Sequence, residues 1–389
     1  MDAFRLDESA LEAARSRAAG LAASSDAVPL AREARAGGTL ADEELAALLL
    51  SPYVPTEELL AIGRARRPAG GPCIETFSPL YLTNTCDAEC LMCGMRRTNA
   101  DLVRETADEP TAEQQLDILH RRGVRAVAIL TGEYHHGPRR QAMIARAASA
   151  IRAALARGYV HVLVNIGALE QAEYELLLAG VPRRADGRVR PQLTMCTFQE
   201  TYSCESYARF MGESPDNPRS HFTRRLTNFD RACDAGMWAA NPGVLLGLHA
   251  DVGFELLALL AHVRHLEQRR MAVYVSLPRL RKASGTVRRG GVSDETLCRL
   301  VAVVSFGAPD AKVVISTREP AAIQRRLLPV IGVLTPGSPG VAPYTETGAR
   351  FDLEASQFEV LDHRPIEAIL GEHLAAGATI ACYEPPSPV

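Results

Sequence analysis

Eight short apolar runs recur between residues 79 and 336, and each is followed by a longer amphipathic stretch. They are "PLYLTN" (79–84), "AVAILTG" (126–132), "HVLVNIG" (161–167), "QLTMCTF" (192–198), "AANPGVLLGL" (239–248), "AVYVSLP" (272–278), "KVVIST" (312–317) and "IGVLTP" (331–336). Near-continuous β-rich runs suit strands buried on both faces, the situation of parallel strands covered by helices. The segments between them, such as "TAEQQLDILHRRG" (111–123) and "MIARAASAIRAALARG" (143–158), read as helices. Eight strands, each followed by a helix, predict an α/β chain built as a parallel (β/α)8 TIM-type barrel. An open doubly wound sheet has the same alternation, and hydrophobic periodicity alone does not separate the two.

The flanks exceed what a barrel of about 250 residues needs. Residues 1–72 predict an N-terminal helical extension that covers one end of the next domain. It includes helices over 39–52, opened by Thr39 and the acids after it, and over 55–67, then a "PAGGP" linker at 68–72. The barrel spans 73–345, and 346–389 form a short C-terminal extension with a frayed proline-rich end. With 47% hydrophobic and 23% charged residues the chain is globular. A net charge of -3 argues against nucleic-acid and anionic-membrane partners. No run approaches the ~20 apolar residues of a membrane span. The start "MDAFRLDESALEAARSRAAG" lacks the basic and apolar regions of a secretory leader, so a cytoplasmic location is expected. Of 43 basic residues only Lys282 and Lys312 are lysines, which dilutes any signal an arginine carries.

Nine cysteines are too few and too uneven for a disulfide scaffold. Six are scattered, but Cys86, Cys90 and Cys93 are bunched in "CDAECLMCGM", directly after the first run. A structural zinc normally takes four closed ligands, and no fourth is evident here. Three thiolates on a four-iron cluster leave one iron open to a ligand that is not protein. Chance structural cysteines, or a zinc completed by a distant His or Cys, are the competing readings. The spacing C-x-x-x-C-x-x-C on the loop after the first strand resembles that of the radical S-adenosylmethionine (SAM) superfamily. That resemblance implies a [4Fe-4S] cluster on Cys86, Cys90 and Cys93, with SAM chelating the open iron. Met92 stands where that superfamily often has an aromatic residue.

In a barrel, chemistry collects at the C-terminal strand ends. Gly132 and Glu133 close the second run and suit the SAM ammonium. Asn165 closes the third and suits a ribose hydroxyl. Gln199 and Glu200 lie on the rim after the fourth, with Glu200 a ribose acceptor and Arg209 a bidentate partner for the SAM carboxylate. Gly243 and Gly247 leave room for adenine against backbone. Ser276 and Arg279 follow the sixth strand, Arg318 the seventh and Ser338 the eighth. A guanidinium at Arg318 beside a serine loop is what an amino-acid carboxylate needs. His135, His136 and His249 are candidate acid–base groups.

These residues in order resemble the radical SAM aromatic amino acid lyases. The strings that carry it are "FSPLYLTNTCDAECLMCGMR", "LTGEY", "NIGALEQ", "TMCTFQETY", "RFMG", "NPGVLLGLH" and "SLPRLR", spread over most of the chain. "STREP" and "TPGSPGVAPY" resemble the tryptophan-lyase branch, which makes 3-methyl-2-indolic acid for nosiheptide-type thiopeptide antibiotics. The resemblance implies an L-tryptophan substrate, hydrogen abstraction from its amino group, C–C cleavage, and migration of the carboxyl fragment to indole C2. It assigns the substrate carboxylate to Arg318 and Ser338 and makes Tyr81 an active-site tyrosine. It also implies an electron donor such as flavodoxin or ferredoxin. A single cysteine near the C-terminus, Cys382, argues against a second cluster. A lyase acting on tyrosine or a modified indole is the nearest alternative, and a scaffold barrel with a structural cluster is the alternative from another class.

Overall fold

One strand closes the sheet by changing partners along its length. In the computed structural model, which describes residues 2–67, 71–189, 192–286 and 291–386, the chain enters the sheet as β1 (Cys73–Thr76), breaks at Phe77 and continues as β2 (Ser78–Tyr81). There follow β3 (Ala126–Leu130), β4 (His161–Asn165), β5 (Gln192–Cys196), β6 (Ala239–Asn241), β7 (Ala272–Ser276), β8 (Lys312–Ser316) and β9 (Val333–Thr335), each paired in parallel with the next. β2 pairs with β3 and β1 with β9, so the sheet curls until it meets itself through the chain at Phe77. This is the (β/α)8-type barrel, and it removes the doubly wound alternative.

The alternation of each strand sorts its side chains into two cores. Ala126, Ala128, Leu163, Ala239, Val314 and Phe77 pack together inside the ring. Their neighbours Val127, Ile129, Val162 and Val164 point outward into the helices. Those helices start on caps the sequence supplies: Asp108, Asp251 and Ser293 each accept from a backbone N–H three residues on. Tyr274 donates to Glu75 (3.0 Å) and Gln192 to Tyr274 (2.6 Å), with His161 beside them, so polar side chains fill the ring at the strand starts. Burial pulls the His161 pKa down to about 3, which keeps the ring neutral.

Three expectations need correcting. The first run is strand only to Tyr81, because the chain turns away there to carry the cysteine loop. The fifth run ends as strand at Asn241, since Pro242 cannot donate to the ladder. Thr39 does not cap its helix, which starts at Asp42, and Glu44 instead accepts from Ala41 N (2.7 Å). The C-terminal segment also does more than trail off. It adds helix Ile366–Ala375 and β10 (Thr379–Ala381), which pairs with β1, and Glu384 N donates to Gly123 O (2.9 Å). Of the predicted linker, 68–70 lie outside the described residues, as do 387–389 of the tail.

The N-terminal helices pack on the barrel's outer layer rather than over one end. Glu8–Ala22 lies on Asp42–Leu50 and Val252–Gln268, and Thr56–Ala65 lies on Asp294–Gly307. Arg299 ties the two layers, donating to the carbonyls of Leu48 (2.6 Å), Leu49 (2.8 Å), Ser51 (2.7 Å) and Val54 (2.6 Å). Arg299→Met leaves these acceptors unpaired and is expected to cost about 3 kcal/mol. A denaturation midpoint equal to wild type, with no new proteolytic cleavage between residues 48 and 56, would contradict this.

Candidate functional site

The C-terminal strand ends surround one cavity of about 1710 Å³, measured out to its mouth. On one side stands the cysteine loop. Cys86, Cys90 and Cys93 all line the cavity and none is in a disulfide. The Cys86 sulfur accepts from the backbone N–H groups of Ala88 (3.4 Å) and Glu133 (3.3 Å), and Cys93 accepts from the Gln357 amide (3.6 Å). Gly132 is needed here because a Cβ would collide with Thr85 O and the Cys86 side chain, so the turn after β3 lies flush on the loop. Burial, helped by the neighbouring thiols, pushes the Cys86 pKa up to about 11 and the Cys90 pKa to about 12, and raises Cys93. Three free thiols lining one space, with N–H donors on the sulfurs of Cys86 and Cys93, are the donor type of an iron–sulfur cluster, though among the described residues no three ligands are gathered as a formed metal site.

Beside the thiols lies a wall of paired charge. Arg225 donates to Glu133 Oε2 (2.9 Å) and Arg219 to Glu200 Oε1 (2.7 Å). Glu133 also accepts from Ala168 N (3.0 Å), and Gly167 has φ +92° with no room for a Cβ against that carboxyl. Glu200 itself has φ 71°, the left-handed region that non-glycine residues avoid. Backbone bonds from Glu200 N to Gly243 O (3.1 Å) and from Leu245 N to Glu200 O (2.8 Å) hold it there. Held strain of this kind clusters at functional sites. Asn165 lines the same cavity. Gly243 faces the Phe198 ring rather than open space.

Arg318 and Tyr81 line the same cavity, Tyr81 being tied to Cys93 through Gln357. Arg318 lines the cavity and pairs with no carboxylate among the described residues; its guanidinium sits 3.3 Å from the Phe358 ring centroid. Burial pulls its pKa down to about 10. Tyr81 is buried, its pKa raised by burial, and its hydroxyl donates to Gln357 Oε1 (2.6 Å). Ser276 also lines the cavity, hydrogen-bonded to Asn241 (2.9 Å).

Seven expected residues stand elsewhere. Arg209 is exposed, with its guanidinium over Phe210. The inward place is taken by Arg219, ten residues on, whose side chain is 10% exposed. Arg279 is outside the cavity lining and is saturated by Glu319, Asp294 (2.6 Å) and Val292 O (2.9 Å). Ser338 is fully buried and bonded to Arg350 O; Ser316 lines the cavity beside Arg318 instead. Gln199 is buried outside the lining. His135 pairs with Asp87 (2.7 Å) and His249 with Glu255 (3.5 Å), and neither they nor His136 line the cavity. Arg219 and Arg225 lie in none of the strings that carry the resemblance, and nothing local singled out Gln357 and Phe358.

The chain is 27% identical to the 2-iminoacetate synthase of Escherichia coli over 322 residues, 81% of this chain and 78% of that protein. Its fold matches the FeFe-hydrogenase maturase HydG from Carboxydothermus hydrogenoformans (TM-score 0.81, 23% identity, 97% of this chain and 86% of that one). A second HydG structure, titled a maturase of the [FeFe]-hydrogenase, gives TM-score 0.80 at 27% identity, covering 97% of this chain and 80% of that one. No family model matches. Among the described residues no helix is long and apolar enough to cross a membrane.

Thiols with raised pKa values stay protonated at neutral pH, so their thiolate fraction still climbs above pH 9, where an ordinary thiol levels off. Iodoacetamide labelling of Cys86 and Cys90 in metal-free protein should therefore rise about tenfold per pH unit from about pH 8 to about pH 10. A plateau by about pH 9, followed by peptide mass spectrometry, would contradict the burial argument.

Proposed function

We propose that this chain is a radical SAM lyase of aromatic amino acids, and that its substrate is L-tryptophan, converted to 3-methyl-2-indolic acid. The observation that carries the reading is a cavity lined both by a three-thiol loop and by the Arg318 guanidinium, without a carboxylate partner among the described residues. Relatives named 2-iminoacetate synthase support the lyase class. The tryptophan branch rests on the "STREP" and "TPGSPGVAPY" strings.

When bound on Cys86, Cys90 and Cys93, a [4Fe-4S] cluster with SAM supplies reductive sulfonium cleavage and the 5′-deoxyadenosyl radical that takes hydrogen from the substrate nitrogen. The protein's own task is to hold and shield. Glu133, Glu200 and Asn165, with Arg219 in the role expected of Arg209, orient the cosubstrate. Arg318 grips the substrate carboxylate and keeps the cleaved fragment near the ring, an orientation effect. Ser316 is the hydroxyl beside Arg318, in place of Ser338. Tyr81 and Ser276 set the substrate against the wall. The apolar residues Phe77, Ala128 and Val314 in the cavity floor keep water from the radical.

The 2-iminoacetate synthase relatives favour a second reading, cleavage of tyrosine without migration. Anaerobically reconstituted protein given dithionite, SAM and either amino acid separates the two. The first reading expects 5′-deoxyadenosine release stimulated by tryptophan, with 3-methyl-2-indolic acid in the product. Stimulation by tyrosine alone, with no indolic product, would replace it by the second. Arg318→Gln should keep cluster absorbance but lower kcat/KM for the amino acid by about tenfold to a hundredfold, as expected for one charge-assisted bond. Wild-type kcat/KM in that variant would remove Arg318 from the substrate.

A further inference from the structure

Residues 357 and 358 belong to the C-terminal segment, outside the ring of strands, yet both line the cavity. Gln357 reaches two walls at once. Its Oε1 accepts from the Tyr81 hydroxyl (2.6 Å) and its Nε2 donates to Cys93 Sγ (3.6 Å). Phe358 places its ring 3.3 Å from the Arg318 guanidinium carbon. The backbone fixes both. Gly94 N, next to Cys93, donates to Gln357 O (3.0 Å), and Gln357 N donates to Pro339 O (3.2 Å) on the loop after β9. Leu361 N and Asp362 N both donate to Thr317 O (3.0 and 3.1 Å), next to Arg318. A Cβ at Gly94 would stand 2.9 Å from Ser356 O and 3.0 Å from Gln357 O, so the segment lies tight on the cysteine loop.

We infer that Gln357 and Phe358 form a positioning strap, in which Gln357 ties the sulfur of Cys93 to the hydroxyl of Tyr81 and Phe358 fixes the guanidinium of Arg318. The inference rests on the reading above, since it takes Cys93 as a cluster ligand and Arg318 as the substrate's partner. An N–H donor on a ligating sulfur raises a cluster's potential, because it stabilises the more negative reduced form. A ring under a guanidinium holds its plane while leaving the N–H edge free for a carboxylate. The two residues therefore act on different readouts.

The test uses reconstituted full-length protein and three variants. Gln357→Glu keeps an acceptor for Tyr81 and removes the donor to Cys93. It should load iron as wild type does, with a lower midpoint potential and altered electron paramagnetic resonance of the reduced cluster. Phe358→Leu should leave that spectrum and the KM for SAM unchanged and raise the KM for the amino acid about tenfold. Phe358→Tyr keeps the ring and should restore the wild-type KM. Wild-type potential and spectrum in Gln357→Glu would overturn the sulfur contact. An unchanged amino-acid KM in Phe358→Leu, or a parallel rise for SAM, would overturn the guanidinium contact. Absence of any cluster in the wild-type protein would overturn the reading and the strap together, whereas a competent wild type with indistinguishable variants sinks the strap alone.

Discussion

Everything at the site depends on a ring of parallel strands that has to close, and it closes at Phe77. On one side of that break the strand is held by β9, on the other by β3. Tyr81 then ends inside the ring and the chain leaves directly into the cysteine loop. Since every neighbour is parallel, all strand ends open on the same face, and groups far apart in sequence share one cavity. A slip of one residue in β2 would send Tyr81 outward and the cysteine loop with it. The added strand β10 supports this arrangement, because it pairs with β1 on the edge opposite β9.

Charge is distributed unevenly inside that cavity. Near the thiols, Glu133 and Glu200 face Arg219 and Arg225, and each charge has a partner. Bringing four ionised groups out of water costs several kcal/mol per group, against which their mutual contacts act. Arg318 has the Phe358 ring against it and no carboxylate partner among the described residues, and burial lowers its pKa. A protein can hold such a group, but the group gains much more when a carboxylate arrives than a pre-paired arginine does. By the same argument Arg279, saturated by Glu319 and Asp294, has little to offer a ligand.

Where a residue was legible depended on whether its signal was local. The strand runs could be read because parallel strands covered on both faces require continuous apolar residues, and all eight runs begin within two residues of a strand start. The break at Phe77 and the three-residue β10 could not, since both are set by ring closure and partner strands. Among site residues, the cysteine loop and Gly132-Glu133 follow strands immediately, so their place was fixed by counting. Arg209 and Arg219 differ by ten positions across a loop, and in a chain whose basic residues are nearly all arginine nothing local distinguishes them. Ser338 failed for another reason. A serine at a strand end has two directions open to it, and here its hydroxyl turns to the Arg350 carbonyl.

On the function proposed above, the two halves of the cavity meet two ligands of the same kind. SAM and an amino acid each carry an ammonium and a carboxylate, so a site holding both must keep their like ends apart. A charge-paired wall beside the thiols and a guanidinium without a carboxylate partner elsewhere in the cavity give each ligand a different set of charges to meet. The sorting works only if Arg318 cannot swing across to the carboxylates, because a guanidinium free to rotate would pair with them and vanish as a site. The stacking on Phe358, supplied by a segment outside the barrel, opposes that collapse. The C-terminal segment is thus part of the selectivity of the cavity as well as of its wall.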